Sequence, residues 1–232
     1  MRRSRHSPAP APWALLSFLL RYPTDEVAGA RGEVADEISA LAAGPVRAAL
    51  ERFLAGWSGD QTELAAAYVQ TFDLRRRASL NLTYYAHGDT RERGMALLRL
   101  KKLYRAAGLP LDSAELPDHL TIMLAFAALA EPGQGEALLA QQRPAIELLR
   151  LSLHDFQSPY AHVLDALAAC LPALTVSERS EVARLAREGP PEEAVGLEPY
   201  GPPEAMPAMP RPGGSALLGA VAQGAKLRGD VP

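Results

Sequence analysis

Apolar residues recur at spacings of three and four along most of the first 189 residues, with polar residues between them. This spacing places apolar side chains on one face of a helix. The alternation of Leu80, Leu82 and Tyr84 is too short to define a strand, and β-branched residues are sparse. The sequence therefore predicts an all-α fold, a single helical-bundle domain of about eight or nine helices.

Capping residues and helix breakers divide this pattern into individual helices. Predicted starts lie at Pro12, Thr24, Pro45, Asp60, Asp89 or Thr90, Pro117, Ser158 and Thr175, and predicted ends lie at Gly44, at Gly108, near Gly56 and near Gly189. Residues 24–43 and 138–153 each read as one helix, the second adjusted at Pro144. We expect the run LTIMLAFAALA, residues 120–130, at the centre of the bundle because it is apolar on nearly every side.

Composition changes abruptly after residue 189. Nine of the 20 prolines lie in the last 43 residues, which leaves little to bury and prevents regular structure. The sequence therefore predicts a flexible amino terminus over 1–11, an all-helical domain over 12–189, and a mostly disordered proline-rich tail over 190–232.

Charge is unevenly distributed, although the formal net charge is only -3 and gives no overall basic field for nucleic acid or membranes. Residues 74–105 hold nine Arg or Lys against two acids, a local net charge of +7. This basic belt either pairs with the acidic flanks or forms an anion-binding surface. Arg75–Arg77 beside Tyr84 and Tyr85 also raises single-stranded nucleic acid as an alternative ligand, since arginines and stacking aromatics hold single strands.

Metal and nucleotide chemistry have no support in the sequence. The five histidines are scattered, and no CxxC, HExxH, P-loop or GxGxxG pattern occurs. The single cysteine, Cys170, lies in an apolar run and is expected to be a buried, inert thiol. We therefore expect the chain to hold no metal or cofactor of its own.

The amino terminus resembles a targeting signal only superficially. Basic residues precede an apolar run over 13–20, but this run is short and no small-residue cleavage site follows it. We interpret it as a first helix that buries Trp13 and Leu16. Since no apolar run approaches the ~18 residues that a bilayer requires, the sequence predicts a cytoplasmic protein without direct membrane insertion.

Two carboxylates and an imidazole, Glu115, Asp118 and His119, lie within five residues. With Pro117 beginning a helix, Asp118 and His119 would occupy its first turn, where exposed N–H groups favour negative charge. Three interpretations stay open from chemistry alone: a helix cap, a contact for a ligand or peptide, and an acid–base pair of an enzyme.

The stretch from Tyr68 to His119 closely resembles the nitrate reductase delta subunit, or NarJ-type, family within the TorD-like group of helical chaperones for molybdoenzymes. Further likeness begins at Leu19 in the sequence LLRYP, and the resemblance covers about residues 15–185. The matching text comprises Tyr68-Val69, Phe72-Asp73-Leu74, Leu82-Thr83-Tyr84-Tyr85, Gly88-Asp89-Thr90-Arg91, Arg93-Gly94, Tyr104, Gly108-Leu109 and Glu115-Leu116-Pro117-Asp118-His119-Leu120.

This resemblance implies a cytoplasmic chaperone and not an enzyme. Its implied partner is the amino-terminal segment of the nitrate reductase alpha subunit, within the apo-enzyme. The chaperone would assist loading of molybdenum bis(guanine dinucleotide) into that partner and prevent its premature membrane attachment. The implied peptide-contact residues are Glu115, Asp118, His119, Tyr68 and Phe72, and the implied structural motif comprises Asp73, Tyr84, Gly88, Asp89, Arg91, Arg93, Gly94, Tyr104, Gly108 and Pro117.

Two hypotheses follow from the resemblance. We expect that Asp118→Asn combined with His119→Ala weakens peptide binding and leaves the fold intact. We also expect that the basic belt faces the anionic cofactor or an acidic surface of the partner. A helical adaptor or chaperone for another molybdoenzyme and a helical nucleic-acid-binding protein are the alternative functions.

Overall fold

The computed structural model describes residues 11–112 and 115–191. Over these residues the chain forms twelve α-helices, with a π-helical turn (Val69–Asp73) and a 3-10 turn (Arg76–Ala78) after the fifth. The helices are α1 (Trp13–Leu19), α2 (Asp25–Gly29), α3 (Arg31–Ala40), α4 (Pro45–Gly56), α5 (Gln61–Tyr68), α6 (Thr83–His87), α7 (Arg91–Ala106), α8 (Leu120–Leu129), α9 (Gln134–Gln141), α10 (Arg143–Asp155), α11 (Ala161–Cys170) and α12 (Val176–Glu188). The predicted all-α fold is confirmed.

The structure has more helices than the eight or nine expected, because two predicted helices are interrupted and a short helix, α6, lies between the 3-10 turn and α7. At Ala30 the backbone (φ -76°, ψ 6°) separates α2 from α3. At Gln142 (φ -94°, ψ 8°) α9 ends and α10 begins. Pro144 explains this second break, since its ring clashes with the preceding turn and it has no N–H to donate. The third additional helix is the short α6.

Three predicted N-caps are present with their hydrogen bonds. The Thr24 hydroxyl accepts a backbone N–H from the first turn of α2. The Asp60 carboxylate accepts the Glu63 N–H at 2.9 Å, and the Glu63 carboxylate accepts the Asp60 N–H at 3.1 Å. Thr175 and Glu178 form the same reciprocal box at the start of α12. These caps satisfy donors that the first turn leaves unpaired.

Two predicted helix starts are wrong by two or three residues. Helix α8 begins at Leu120 and not at Pro117, because the residues before Leu120 form a turn and His119 has extended backbone (φ -66°, ψ 130°). Helix α11 begins at Ala161 and not after Ser158, since i to i+3 hydrogen bonds tighten the turn that precedes it.

The centre of the fold is built around α8, as its all-round apolar sequence predicts. Leu120, Met123 and Leu124 have no exposed surface. Helix α8 packs against α1 and α9, α4 packs against α11, and α10 packs against α11 and α12. Leu16 and Leu19 of α1 are also buried, so the first apolar run is a core helix.

The structure tests only some of the predictions about the ends of the chain. Residues 1–10 and the tail beyond residue 191 lie outside the described residues. Helix α12 ends at Glu188, and Gly189 follows with the left-handed φ of 78°, as the sequence predicts. No helix in the described ranges is both long and apolar enough to cross a bilayer.

We predict that Leu124→Ala lowers the free energy of unfolding by about 2 to 5 kcal/mol, because it opens a cavity in the centre of the fold. Leu129→Ala on the same helix is the matched control, since the Leu129 side chain is 71% exposed. Its expected effect is within about 0.5 kcal/mol. Urea denaturation measures both, and equal losses would contradict the central position of α8.

Candidate binding surface around the start of α8

Two short extended segments pair where the chain enters α8. The Leu82 N–H donates to the Asp118 carbonyl at 3.0 Å, and the Leu120 N–H donates to the Leu80 carbonyl at 2.8 Å. Asn81 and His119 thus form a single antiparallel bridge. The alternation of Leu80 and Leu82 places both side chains in the core, although the pairing extends no further.

The Asp118 carboxylate lies inside this junction and has no exposed surface. It accepts hydrogen bonds from the Asn81 amide at 3.0 Å and the Thr83 hydroxyl at 2.5 Å. An Arg93 guanidinium nitrogen lies 3.5 Å from it. A buried carboxylate requires such partners, because desolvation without them is costly. Asp118 therefore fastens α6, α7 and α8 together from within.

Arg93 connects this carboxylate to the surface. It also donates to the exposed Asp89 carboxylate at 3.0 Å, and its guanidinium carbon lies 5.7 Å from the centre of the Tyr84 ring. The Arg93 Nε atom is buried and has no hydrogen-bond partner within the described part of the chain. Tyr84, Asp89 and Arg93, three residues of the predicted structural motif, thus meet around Asp118.

The same junction holds the far end of α7. The Tyr104 hydroxyl donates to the Pro117 carbonyl at 2.7 Å, and the Tyr104 ring packs on Phe126 with centroids 4.8 Å apart. Burial, then the nearby Asp118 charge, raises the pKa of Tyr104, so it stays a neutral donor. Gly108 closes α7 with a left-handed φ of 75°.

The remaining motif residues have different surroundings. Gly88 follows α6 with a φ of 56°, a conformation that favours glycine. Gly94 lies exposed on α7, and a Cβ built there would meet no atom within 4 Å. Arg91 is exposed at the start of α7. The structure thus accounts for glycine at 88 but gives no steric reason for glycine at 94.

His119 lies at the edge of the junction and is partly buried. Its Nδ1 atom is 2.6 Å from the Thr121 hydroxyl. Burial lowers the pKa of His119, while the charges of Glu115 and Asp118 oppose that shift. The imidazole is therefore biased toward its neutral form near neutral pH.

Tyr68 and Phe72 belong to a buried aromatic cluster. Their ring centroids are 4.7 Å apart, and the Tyr160 ring lies 4.9 Å from Phe72. The Tyr68 hydroxyl donates to the Leu20 carbonyl at 3.1 Å. Burial raises the pKa of Tyr68, and Tyr160, Asp73 and Glu115 add to the shift.

Tyr22, Asp73 and Leu74 are exposed side chains next to this cluster; together with the exposed pair Glu115 and Leu116, we call them the rim. Tyr22, Leu74 and Leu116 are 47%, 73% and 42% exposed. The Tyr22 ring lies 5.4 Å from the Tyr68 ring, and Leu74 ends the π-helical turn that carries Phe72. The rim thus combines exposed apolar and acidic side chains.

A cavity of about 260 Å³ adjoins the rim. Its charged and polar lining includes Asp73, Arg75, Arg76, Asn81 and Arg93. Because Asn81 and Arg93 also hold Asp118, the cavity lies directly outside the junction. This arrangement offers both charge signs and hydrogen-bonding groups to a polar ligand or a peptide.

Only two of the five implied contact residues have an exposed or partly exposed side chain. Glu115 is exposed and His119 is partly exposed. Asp118, Tyr68 and Phe72 are buried, so their side chains support the surface from below. The sequence did not single out Tyr22 or Tyr160 for this site, since Tyr160 lies far from Tyr68 along the chain. The sequence does contain two polar residues on either side of Leu82, Asn81 and Thr83. Their polarity next to apolar positions could have indicated hydrogen-bond partners for Asp118.

The structure also bears on three other chemistries: acid–base catalysis, metal binding and thiol reactivity. Acid–base catalysis by Asp118 is disfavoured because its carboxylate is enclosed by three donors. Among the described residues, no group of three His, Cys, Asp or Glu is placed to hold a metal ion. Burial raises the pKa of the Cys170 thiol to about 11, which leaves it protonated and unreactive.

Comparison with known proteins adds a family and several relatives. The model of the nitrate reductase delta subunit family matches residues 39–166. The chain is 34% identical over 173 residues to a Bacillus subtilis protein named probable nitrate reductase molybdenum cofactor assembly chaperone NarJ, which covers 73% of this chain and 92% of that protein. It is 39% identical over 110 residues to the Escherichia coli K12 nitrate reductase molybdenum cofactor assembly chaperone NarJ, covering 47% and 46%.

A third relative is much longer than this chain. The nitrate reductase-like protein NarX of Mycobacterium tuberculosis is 38% identical over 156 residues, which cover 67% of this chain but only 23% of that protein. The chain therefore spans nearly the whole Bacillus subtilis relative, about half of the Escherichia coli relative, and about a quarter of the mycobacterial one.

We predict that Asp118→Ala lowers the free energy of unfolding by about 3 to 5 kcal/mol, because it removes the buried acceptor shared by Thr83, Asn81 and Arg93. The burial of Asp118 argues against the expectation that Asp118→Asn combined with His119→Ala leaves the fold intact. Asp36→Ala on α3 is the matched control, since Asp36 is exposed. Its expected effect is within about 0.5 kcal/mol. Chemical denaturation compares the two variants, and a neutral Asp118→Ala would contradict the fastening role.

Proposed function

The chain belongs to the nitrate reductase delta subunit family, and from that membership we propose that it is an assembly chaperone. In this proposal it binds the catalytic alpha subunit of nitrate reductase and assists insertion of the molybdenum cofactor. It acts on a protein partner and catalyses no reaction itself.

One observation carries the proposal. The Bacillus subtilis relative is matched over 92% of its length, and its name is that of an assembly chaperone for nitrate reductase. The Escherichia coli relative, at 39% identity, has the same kind of name. The mycobacterial relative contributes less, since this chain spans only 23% of it.

The finer part of the proposal concerns what is bound. The ligand is the amino-terminal segment of the alpha subunit, taken up as an amphipathic helix or an extended peptide. Binding of that segment in the cytoplasm delays membrane attachment until molybdenum bis(guanine dinucleotide) has been inserted. The chain supplies a protein surface for this task and holds no cofactor of its own.

The rim is the surface that best suits such a peptide. Apolar side chains of the peptide would cover Tyr22, Leu74 and Leu116, which now face solvent. Basic residues of the peptide would meet Glu115 and Asp73, since charges at the edge of an interface set orientation and association rate. The buried aromatic cluster and Asp118 keep this surface rigid and so lower the entropic cost of binding.

The adjoining cavity supports the same interpretation. Its arginines and Asn81 offer donors to peptide carbonyls, while Asp73 accepts from peptide N–H groups or side chains. Arg75 is held in place because its guanidinium carbon lies 4.1 Å from the centre of the Phe156 ring. A peptide that crosses the rim would therefore find hydrogen-bonding partners at its polar backbone as well as apolar contacts.

We predict that Leu116→Asp weakens binding of a synthetic alpha-subunit amino-terminal peptide by about tenfold, because it places a charge in the apolar part of the rim. Glu115→Lys should weaken it less, mainly through slower association at low salt. Isothermal titration calorimetry gives the affinities and stopped-flow fluorescence gives the rates.

Two control variants match these changes. Leu151→Asp on α10 alters a leucine of similar exposure, 41% against 42% for Leu116. Glu181→Lys reverses the charge of an exposed carboxylate on α12.

If the wild-type chain does not bind the peptide, the peptide proposal fails. If it binds and the rim variants behave like the controls, the site lies elsewhere on the chain. A peptide from another molybdoenzyme, added as competitor, tests the alternative client.

A further inference from the structure

Helix α7 contacts the rest of the fold along one narrow line. Ala96, Leu100 and Tyr104, spaced four residues apart, are its buried residues. Its ends are held by Arg93 at the Asp118 junction and by the Tyr104 hydroxyl on the Pro117 carbonyl. The opposite side of this 16-residue helix faces solvent.

Large apolar side chains lie on that outer side. Met95 and Leu98 are each 52% exposed, whereas Leu103, 37% exposed, lies beside the buried line of the helix. At 3.6 residues per turn, Met95 and Leu98 lie on neighbouring lines of the helix surface, roughly opposite Leu100. Single exposed leucines are ordinary on a protein surface, but here they share one helix face with a concentration of charge.

The charged side chains on this face that make no ion pair are all positively charged. Five cations of α7 are exposed and make no ion pair or side-chain hydrogen bond within the described residues: Arg91, Arg99, Lys101, Lys102 and Arg105. The sixth, Arg93, points inward. Arg99 lies on one side of the Met95–Leu98 line, and Lys101 and Arg105 lie on the other.

We infer that the outer face of α7 is a docking site for an acidic amphipathic helix of another protein. Apolar side chains of that helix would pack on Met95 and Leu98. Carboxylates on its two flanks would pair with Arg99 on one side and with Lys101 and Arg105 on the other, which resolves the unpaired positive charge. Met95 suits such a contact because its flexible thioether adapts to different partners.

The features of this face favour a protein, rather than a membrane or a nucleic acid, as its binding partner. A helix that lies in a bilayer interface inserts a broad apolar face, whereas the apolar residues of α7 are few and interleaved with cations. Single-stranded nucleic acid requires stacking aromatics, and Tyr104, the aromatic residue of α7, is buried. The docking face shares no residue with the rim, so this inference does not depend on the proposed peptide site.

A designed peptide tests the inference directly. The probe is a helical peptide with Leu at i, i+3, i+4 and i+7 and Glu on both flanks. A second peptide with Lys in place of Glu, and vesicles of phosphatidylcholine with phosphatidylserine, are tested alongside it. We expect fluorescence anisotropy to show salt-sensitive binding of the acidic peptide alone, weakened about tenfold by Arg99→Glu with Lys101→Glu and by Leu98→Asp.

The control variant, Arg179→Glu with Arg187→Glu on α12, makes the same change in charge on another exposed helix. It should bind the acidic peptide like the wild type, and the α7 variants should keep wild-type affinity for the alpha-subunit peptide. Met95→Asp replaces Leu98→Asp if the latter fails to fold. Equal binding of the acidic peptide by the α7 variants and the wild type overturns the inference. Binding of the vesicles that requires the α7 cations overturns it as well, as does a self-association that the α7 variants abolish.

Discussion

The buried carboxylate of Asp118 is the interaction on which the centre of this fold depends. Asn81, Thr83 and Arg93 surround it, so three segments that are distant in sequence meet at one charge. The backbone pairing of Asn81 with His119 and the bond from Tyr104 to Pro117 enclose the same point. A buried charge requires its partners, so the loss of any one of them destabilises the whole junction.

The sequence predicted the parts of this molecule that depend on local chemistry. Apolar spacing located the helices, and the reciprocal caps at Asp60 and Thr175 are present because capping involves residues only three apart. The position of Asp118 was not predictable in this way. Its two neutral partners, Thr83 and Asn81, lie 35 and 37 residues earlier, and nothing local distinguishes a buried carboxylate from a helix cap. The aromatic cluster was hidden for the same reason, since Tyr160 joins Tyr68 only through tertiary packing.

The separation of buried and exposed residues in the motif is informative about function. Asp118, Tyr104 and Arg93 hold the scaffold, whereas Glu115 and Leu116, their neighbours in sequence, are exposed on the rim. A similar division occurs on α7, where one face fastens the helix and the other presents cations and leucines to solvent. Such a rigid base beneath exposed mixed surfaces suits a protein whose task is to bind other chains.

The most direct test of the central claim is the molybdenum content of nitrate reductase purified from cells that lack this chain. Our account predicts that the alpha subunit is present but contains little molybdenum, and that the wild-type chain, supplied in trans, restores the metal. A full complement of molybdenum in the enzyme from cells without the chain would contradict the assignment as an assembly chaperone.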